Sequence, residues 1–166
     1  MRRAIATVVV LLLAGALASC GGDKKPSVSP TPTSGAASPA VAIAPADRPA
    51  CALLFARLQR VTAALQAGAE LIAHSRDKRQ LSHRIEVQQE QLERSARFMT
   101  GGPIPAPLAA AHRRLVRSLH AFARDFGRAK APAARGDFQT ASAIMTDRPV
   151  VEEILGASRT IEAACK

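Results

Sequence analysis

Three observations in the amino-acid sequence predict an all-α fold, an antiparallel four-helix bundle. Hydrophobic residues make up 48% of the 166-residue chain but aromatic residues only 3%, with five Phe and no Trp or Tyr. The core must therefore be assembled from Ala, Leu, Ile and Val, a set that favours helices over sheets. From Asp47 onward, apolar residues recur at spacings of three and four in four successive stretches, the period of a helix with one buried face. Two cysteines, Cys51 and Cys165, stand at the start of the first stretch and the end of the last, and an up-down-up-down arrangement brings those places to the same end. A chain of this length holds one domain of ordinary size.

The amino terminus reads as an address rather than as part of that domain. Arg2 and Arg3 form a positive segment, and Ile5 to Ala18 is an apolar run containing Val8-Val9-Val10-Leu11-Leu12-Leu13. Fourteen residues are too few to span a hydrocarbon core, which needs about 20, so the run is expected to be an export signal. It ends in Leu17-Ala18-Ser19-Cys20, and at this point the chain resembles bacterial lipoproteins, whose lipobox has Leu, two small residues and Cys in that order. The resemblance covers the signal (residues 1–19) and the anchor only. It implies that the signal is cut before Cys20, that Cys20 carries a diacyl group on its sulfur, and that in many species the new amino terminus is acylated too. Two or three acyl chains hold a protein stably at a membrane where one does not. Gly21 after the Cys resembles the pattern of outer-membrane sorting in diderm bacteria; in a monoderm the anchor is the outer leaflet of the plasma membrane.

Residues 20–46 are expected to be the lipidated Cys and a disordered tether. Gly21-Gly22-Asp23-Lys24-Lys25 leads into a stretch rich in Pro, Ser, Thr and Ala, with too little apolar surface to offset the entropy of ordering its backbone. At about 3.1 Å per residue, the segment after Cys20 reaches on the order of 80 Å when fully extended. Lys24 and Lys25 either attract anionic lipid beside the anchor or keep the tether soluble.

The bundle domain is assigned to residues 47–166. Asp47 is placed to cap a first helix with Pro49 in its first turn and an apolar stripe of Cys51, Leu54, Leu58, Val61, Leu65, Gly68 and Ile72. Asp77 with Gln80 three residues on reads as a capping box for a second helix, whose stripe is Leu81, Ile85, Gln88, Leu92, Ser95 and Met99. That helix stops at Thr100-Gly101-Gly102-Pro103. The third starts near Pro105 or Pro107 and carries Leu108, Ala111, Leu115, Leu119, Phe122, Phe126 and Ala129, until Pro132 kinks or ends it. Arg135-Gly136-Asp137-Phe138 supplies a turn and a new cap. The fourth segment carries Phe138, Ala141, Ile144 and Met145, is interrupted near Pro149, and resumes with Val151, Ile154, Leu155, Ser158, Ile161 and Cys165, as one broken helix or two short ones.

With Cys20 consumed by lipid and the domain exported to an oxidising compartment, Cys51 and Cys165 are left as one pair. A disulfide between them fits the bundle geometry.

Charge supplies the candidate contact. The chain carries 23 Lys and Arg against 13 Asp and Glu, a net +10, and 18 of the basic residues are Arg. Removal of Arg2 and Arg3 with the signal still leaves +8. On the third helix Arg113, Arg117, His120, Arg124 and Arg128 recur at four, three, four and four, so they share a face nearly opposite the apolar stripe. Such a face suits anionic lipid, an anionic wall polymer or an acidic envelope protein, or is a solvated face of an Arg-rich chain. Nucleic acid is excluded as a partner by the expected compartment and by the lack of aromatics interleaved with the arginines.

No nucleophile with a base and no paired carboxylates in a cleft are recognisable, so no enzymatic activity and no cofactor is expected. His74 and His83 flank one turn and, with Glu70 or Glu86, are the only candidates for a surface zinc ion; Glu70 and His74 lie opposite the first apolar stripe, and His83, Glu86 and Glu90 share the outer face of the second helix. Two functional readings follow. The first is a non-enzymatic envelope lipoprotein, an interaction or scaffold module with a basic face. The alternative is an extracytoplasmic ligand- or metal-binding bundle, in which inward-facing Gln88, Ser95 and Ser158 mark a cavity.

Overall fold

The computed structural model describes residues 41–166, and the regular elements among them are all helical. Helix α1 spans Arg48–Ala73, α2 Lys78–Thr100, α3 Ala109–Arg135, α4 Phe138–Met145 and α5 Arg148–Cys165. Short 3-10 turns at Pro45–Asp47 and Ala106–Leu108 lead into α1 and α3. The expected fourth helix is thus two, parted at Thr146-Asp147, with Pro149 in the first turn of α5 where its missing N–H has no partner to lose. The signal, Cys20 and the tether up to residue 40 lie outside the described residues.

Apolar spacing and burial agree closely in α1 and α2. Cys51, Leu54, Leu58, Val61, Gly68 and Ile72 are buried on α1, and Ile85, Gln88, Leu92, Ser95 and Met99 on α2. Ile85, Leu92, Met99, Leu115, Leu119 and Ile161 are almost wholly inaccessible, and burial of each such side chain is worth about 1.5–3 kcal/mol. Val41 and Ile43 also pack against this core, so apolar packing begins ahead of Asp47.

Helix α3 is the hub. It packs against α2, α4 and α5, whereas α1 packs against α2 and α5. Consequently α3 is buried on two sides, and Ser118, Ala123, Asp125, Pro132 and Ala133 join the expected stripe. Against α2 its residues meet in a regular series: Lys130 donates to Glu86, His120 Nδ1 lies 2.7 Å from Glu93 Oε2, and His112 Nε2 lies 2.8 Å from the Met99 carbonyl. The same carbonyl accepts from Arg57 Nη1 of α1 at 3.4 Å, which ties three helices together at that end. Against α5, Ser118 Oγ donates to Glu153 Oε2 at 2.7 Å.

Helix ends follow their local chemistry, with two departures from expectation. Asp77 Oδ1 accepts from Gln80 N at 2.9 Å, while Gln80 Oε1 reaches past Asp77 to Arg76 N at 2.8 Å, a displaced form of the capping box. Asp137 Oδ1 accepts from Thr140 N at 3.1 Å to start α4. Asp47, however, makes no side-chain cap. Its own N–H bonds Ala44 O in the 3-10 turn and its backbone is already helical, which leaves it outside the extended geometry that a cap requires. Pro132 does not end α3, which runs on to Arg135. Its carbonyl accepts from Asp137 N and that of Ala133 from Gly136 N, the paired bonds of a Schellman terminus. Gly136 takes φ 87° there, a left-handed conformation that glycine adopts without steric cost.

Candidate functional site

Two places on the molecule combine exposure or open space with specific chemistry. The first is the outer face of α3. Arg113, Arg117, Arg124 and Arg128 are exposed and His120 is half-buried, so helical spacing places all five along one side as expected. Their electrostatic situations differ. Arg128 Nη2 lies 2.5 Å from Asp125 Oδ1, and His120 faces Glu93 across the α2 boundary, an ion pair when the imidazole is protonated. Arg113, Arg117 and Arg124 have no acidic partner among the described residues. Within this face the uncompensated charge is therefore a row of three arginines, bordered on the α2 side by Glu93; exposed Arg114 beside Arg113 likewise has no acidic partner among the described residues.

Asp125 belongs to this region although it points inward. Its side chain is 7% exposed, and Oδ2 is a buried atom that accepts no hydrogen bond from any described residue. Spacing alone did not reveal this, because an Asp among arginines reads as solvated; the signal available was Arg128 three residues on, which shares its side of the helix.

The second place is a cavity of about 110 Å³ among α1, α2, α3 and the α4–α5 junction. Leu65, Ala69 and Ile72 line it from α1, Phe122 and Phe126 from α3, and Met145, Thr146, Val151, Ile154 and Leu155 from the junction and α5. The two Phe rings meet edge to face with centroids 5.0 Å apart, a favoured aromatic geometry. From α2 comes Gln88, 5% exposed. Its amide lies so close over α1 that a Cβ on Gly68 would sit 1.6 Å from Gln88 Oε1. This close approach accounts for a glycine in mid-helix, where it costs about 1 kcal/mol relative to Ala. Of the three inward polar residues expected to mark a cavity, Gln88 lines it, and Ser95 and Ser158 do not.

The remaining candidates stand apart from both places. Cys51 and Cys165 form a disulfide with Cα atoms 5.2 Å apart. His74 is exposed at the end of α1 with Nδ1 2.7 Å from the Glu70 carbonyl, and His83 is exposed on α2. Glu86 does not lie free on the outer face of α2. It pairs with Lys130 of α3, which holds its carboxyl below the usual range, first through the hydrogen bond and then through charge. No group of three or more His, Cys, Asp and Glu placed to hold a metal ion is found among the described residues. Nor is any described helix long and apolar enough to cross a membrane. No protein family, curated protein or solved structure matches this chain.

Proposed function

We propose that this chain is a lipid-anchored protein of the bacterial cell envelope whose domain is a non-enzymatic interaction module, meeting an anionic membrane surface through α3. The observation that carries the reading is the exposure of Arg113, Arg117 and Arg124 in one row without acidic partners among the described residues. Cys20 is the proposed anchor on the strength of its lipobox. The domain itself is read as an antiparallel bundle, because the pairs Glu86–Lys130, Glu93–His120 and Met99–His112 ascend along α2 as they descend along α3. Near a surface of negative potential each Lys or Arg contributes about 1 kcal/mol, so three arginines together sustain a weak, salt-sensitive association that supplements the anchor.

Co-sedimentation with vesicles tests this. The unlipidated domain with its tether is expected to bind vesicles containing phosphatidylglycerol and not vesicles of phosphatidylcholine, and to dissociate as ionic strength rises. The triple variant R113E/R117E/R124E is expected to abolish binding while keeping its helical circular dichroism. Equal binding by the triple variant removes this face from the function. Binding only to envelope polymer or protein extracts, and not to lipid, reassigns the partner.

A further inference from the structure

We propose that the cavity among α1, α2, α3 and the α4–α5 junction is a binding site for a small, uncharged, ring-sized amphiphile that carries one hydrogen-bonding group, with Gln88 as its polar anchor. The site is independent of the basic face on α3, and four features define its occupant.

Size comes first. About 110 Å³ is somewhat less than the roughly 150 Å³ of a dry apolar cavity known to take up benzene. The space is not closed, since Ala69, Phe122, Thr146 and Val151 on its wall are only partly buried, so a ring enters from solvent and can protrude at the mouth. Charge comes second. None of the eleven lining residues is ionisable, and an ion there would lose its hydration without a partner. Shape is third: the edge-to-face pair of Phe122 and Phe126 and the Met145 thioether offer aromatic and sulfur contacts to a planar ring.

The fourth feature is Gln88. It is 95% removed from solvent by its 5% exposure, yet its amide forms no hydrogen bond with another described residue, and the sole sealed, unpartnered side-chain atom among the described residues is Asp125 Oδ2. Neither amide atom is among the sealed, unpartnered ones, so the amide keeps access to open space beside Gly68, and Gln88 is one of the residues that line this cavity. Leu would fill the same inward position at no polar cost. An amide without a partner among the described residues, on a residue that lines an apolar chamber, is the kind of group by which a binding pocket fixes the orientation of a neutral ligand: its carbonyl accepts from a hydroxyl, and its NH₂ donates to that hydroxyl's oxygen.

Phenol is the probe, with toluene and benzoate as its counterparts. In the full chain with its disulfide intact, titration with phenol followed by NMR is expected to give saturable shifts in the Gln88 side-chain amide and in the Ala69 and Val151 methyls. Benzoate, a ring of the same size bearing a charge, is expected to give none. Replacement of one hydrogen bond predicts that Gln88→Leu weakens phenol about three- to tenfold and leaves toluene unchanged. Ala69→Leu fills the chamber and is expected to abolish both, with the melting temperature kept or raised as its proof of folding. Absence of saturable shifts at about 10 mM phenol, roughly ten times a Kd of about 1 mM, overturns the site. Equal phenol affinity in wild type and Gln88→Leu overturns the anchor role of Gln88, and binding retained in a folded Ala69→Leu places the ligand elsewhere.

Discussion

Asp125 and Arg128 show how a single buried carboxylate shapes both stability and surface charge. Asp125 is taken out of water with one oxygen unpartnered among the described residues, and its other oxygen depends on a guanidinium that is itself 65% exposed. An exposed ion pair is worth little, but loss of the partner to a buried charge costs the desolvation that the pair had offset. Arg128→Ala is therefore expected to destabilise the chain by about 1–2 kcal/mol, more than an exposed arginine ordinarily would. Asp125→Asn preserves shape and removes the charge, so Arg128→Ala made in that background is expected to cost under about 0.5 kcal/mol. Urea unfolding of the four chains measures the difference, and an equal cost of Arg128→Ala in both backgrounds would show that the pair is not coupled. The same pairing withdraws Arg128 from the basic row, which leaves Arg113, Arg117 and Arg124 as its uncompensated part.

At the scale of single helices, the start of α4 responds to pH through one carboxylate. Hydrogen bonds from Thr140, the hydroxyl first and the backbone N–H second, hold the Asp137 carboxyl below its ordinary value at the start of α4. A carboxyl whose folded value is depressed contributes stability that is fully present above its unfolded value, about pH 4, and lost as pH falls through the folded one. Asp137→Ala is thus expected to lower the melting temperature at pH 7 and to make progressively less difference below about pH 4. Asp137→Asn, which keeps an acceptor, is expected to retain much of the cap without that acid-side loss. Thermal scans at stepped pH test the pair, and a constant difference between wild type and Asp137→Ala down to pH 2 would contradict it. The Asp137 cap was legible in the sequence, as were the Asp77 cap and the stripes of α1 and α2, because each depends on residues within one or two turns. The second buried side of α3 was not: Ser118 and Asp125 are polar, and their burial follows from the packing of α3 against α2, α4 and α5, which the apolar spacing along α3 does not reveal. Gln88 could be placed inward from its register. That it borders a chamber depends on Thr146, Val151 and Leu155, which the break between α4 and α5 brings together, and a break position sets no local pattern that reveals what it encloses.

For the whole molecule, the disulfide joins the two ends of the domain. Cys51 lies in the first turn of α1 and Cys165 is the last residue of α5, 114 positions apart, so the crosslink encloses nearly every helix and most of the core. The chain-entropy model assigns a loop of this size about 4.7 kcal/mol of stabilisation through the unfolded state, within a measured range of about 2–5 kcal/mol for native disulfides in small exported domains. Helix α1 packs mainly against α2 and α5, and it has no ion pair to any other described helix. Its hold on the rest of the molecule is apolar packing, the Arg57 bond to Met99, the bond from Arg84 to the Leu71 carbonyl, and the disulfide. Reduction is accordingly expected to loosen α1 first. Hydrogen exchange should show Leu54, Leu58 and Val61 of α1 losing protection ahead of Leu115 and Leu119 of α3, while the midpoint of urea unfolding falls by an amount equivalent to about 2–5 kcal/mol. The double variant Cys51→Ala/Cys165→Ala is expected to reproduce both effects without reductant, which separates the lost crosslink from any action of the thiol reagent. Uniform loss of protection across α1 and α3 would instead mean that the domain opens as one cooperative unit, with the disulfide acting only on the unfolded chain.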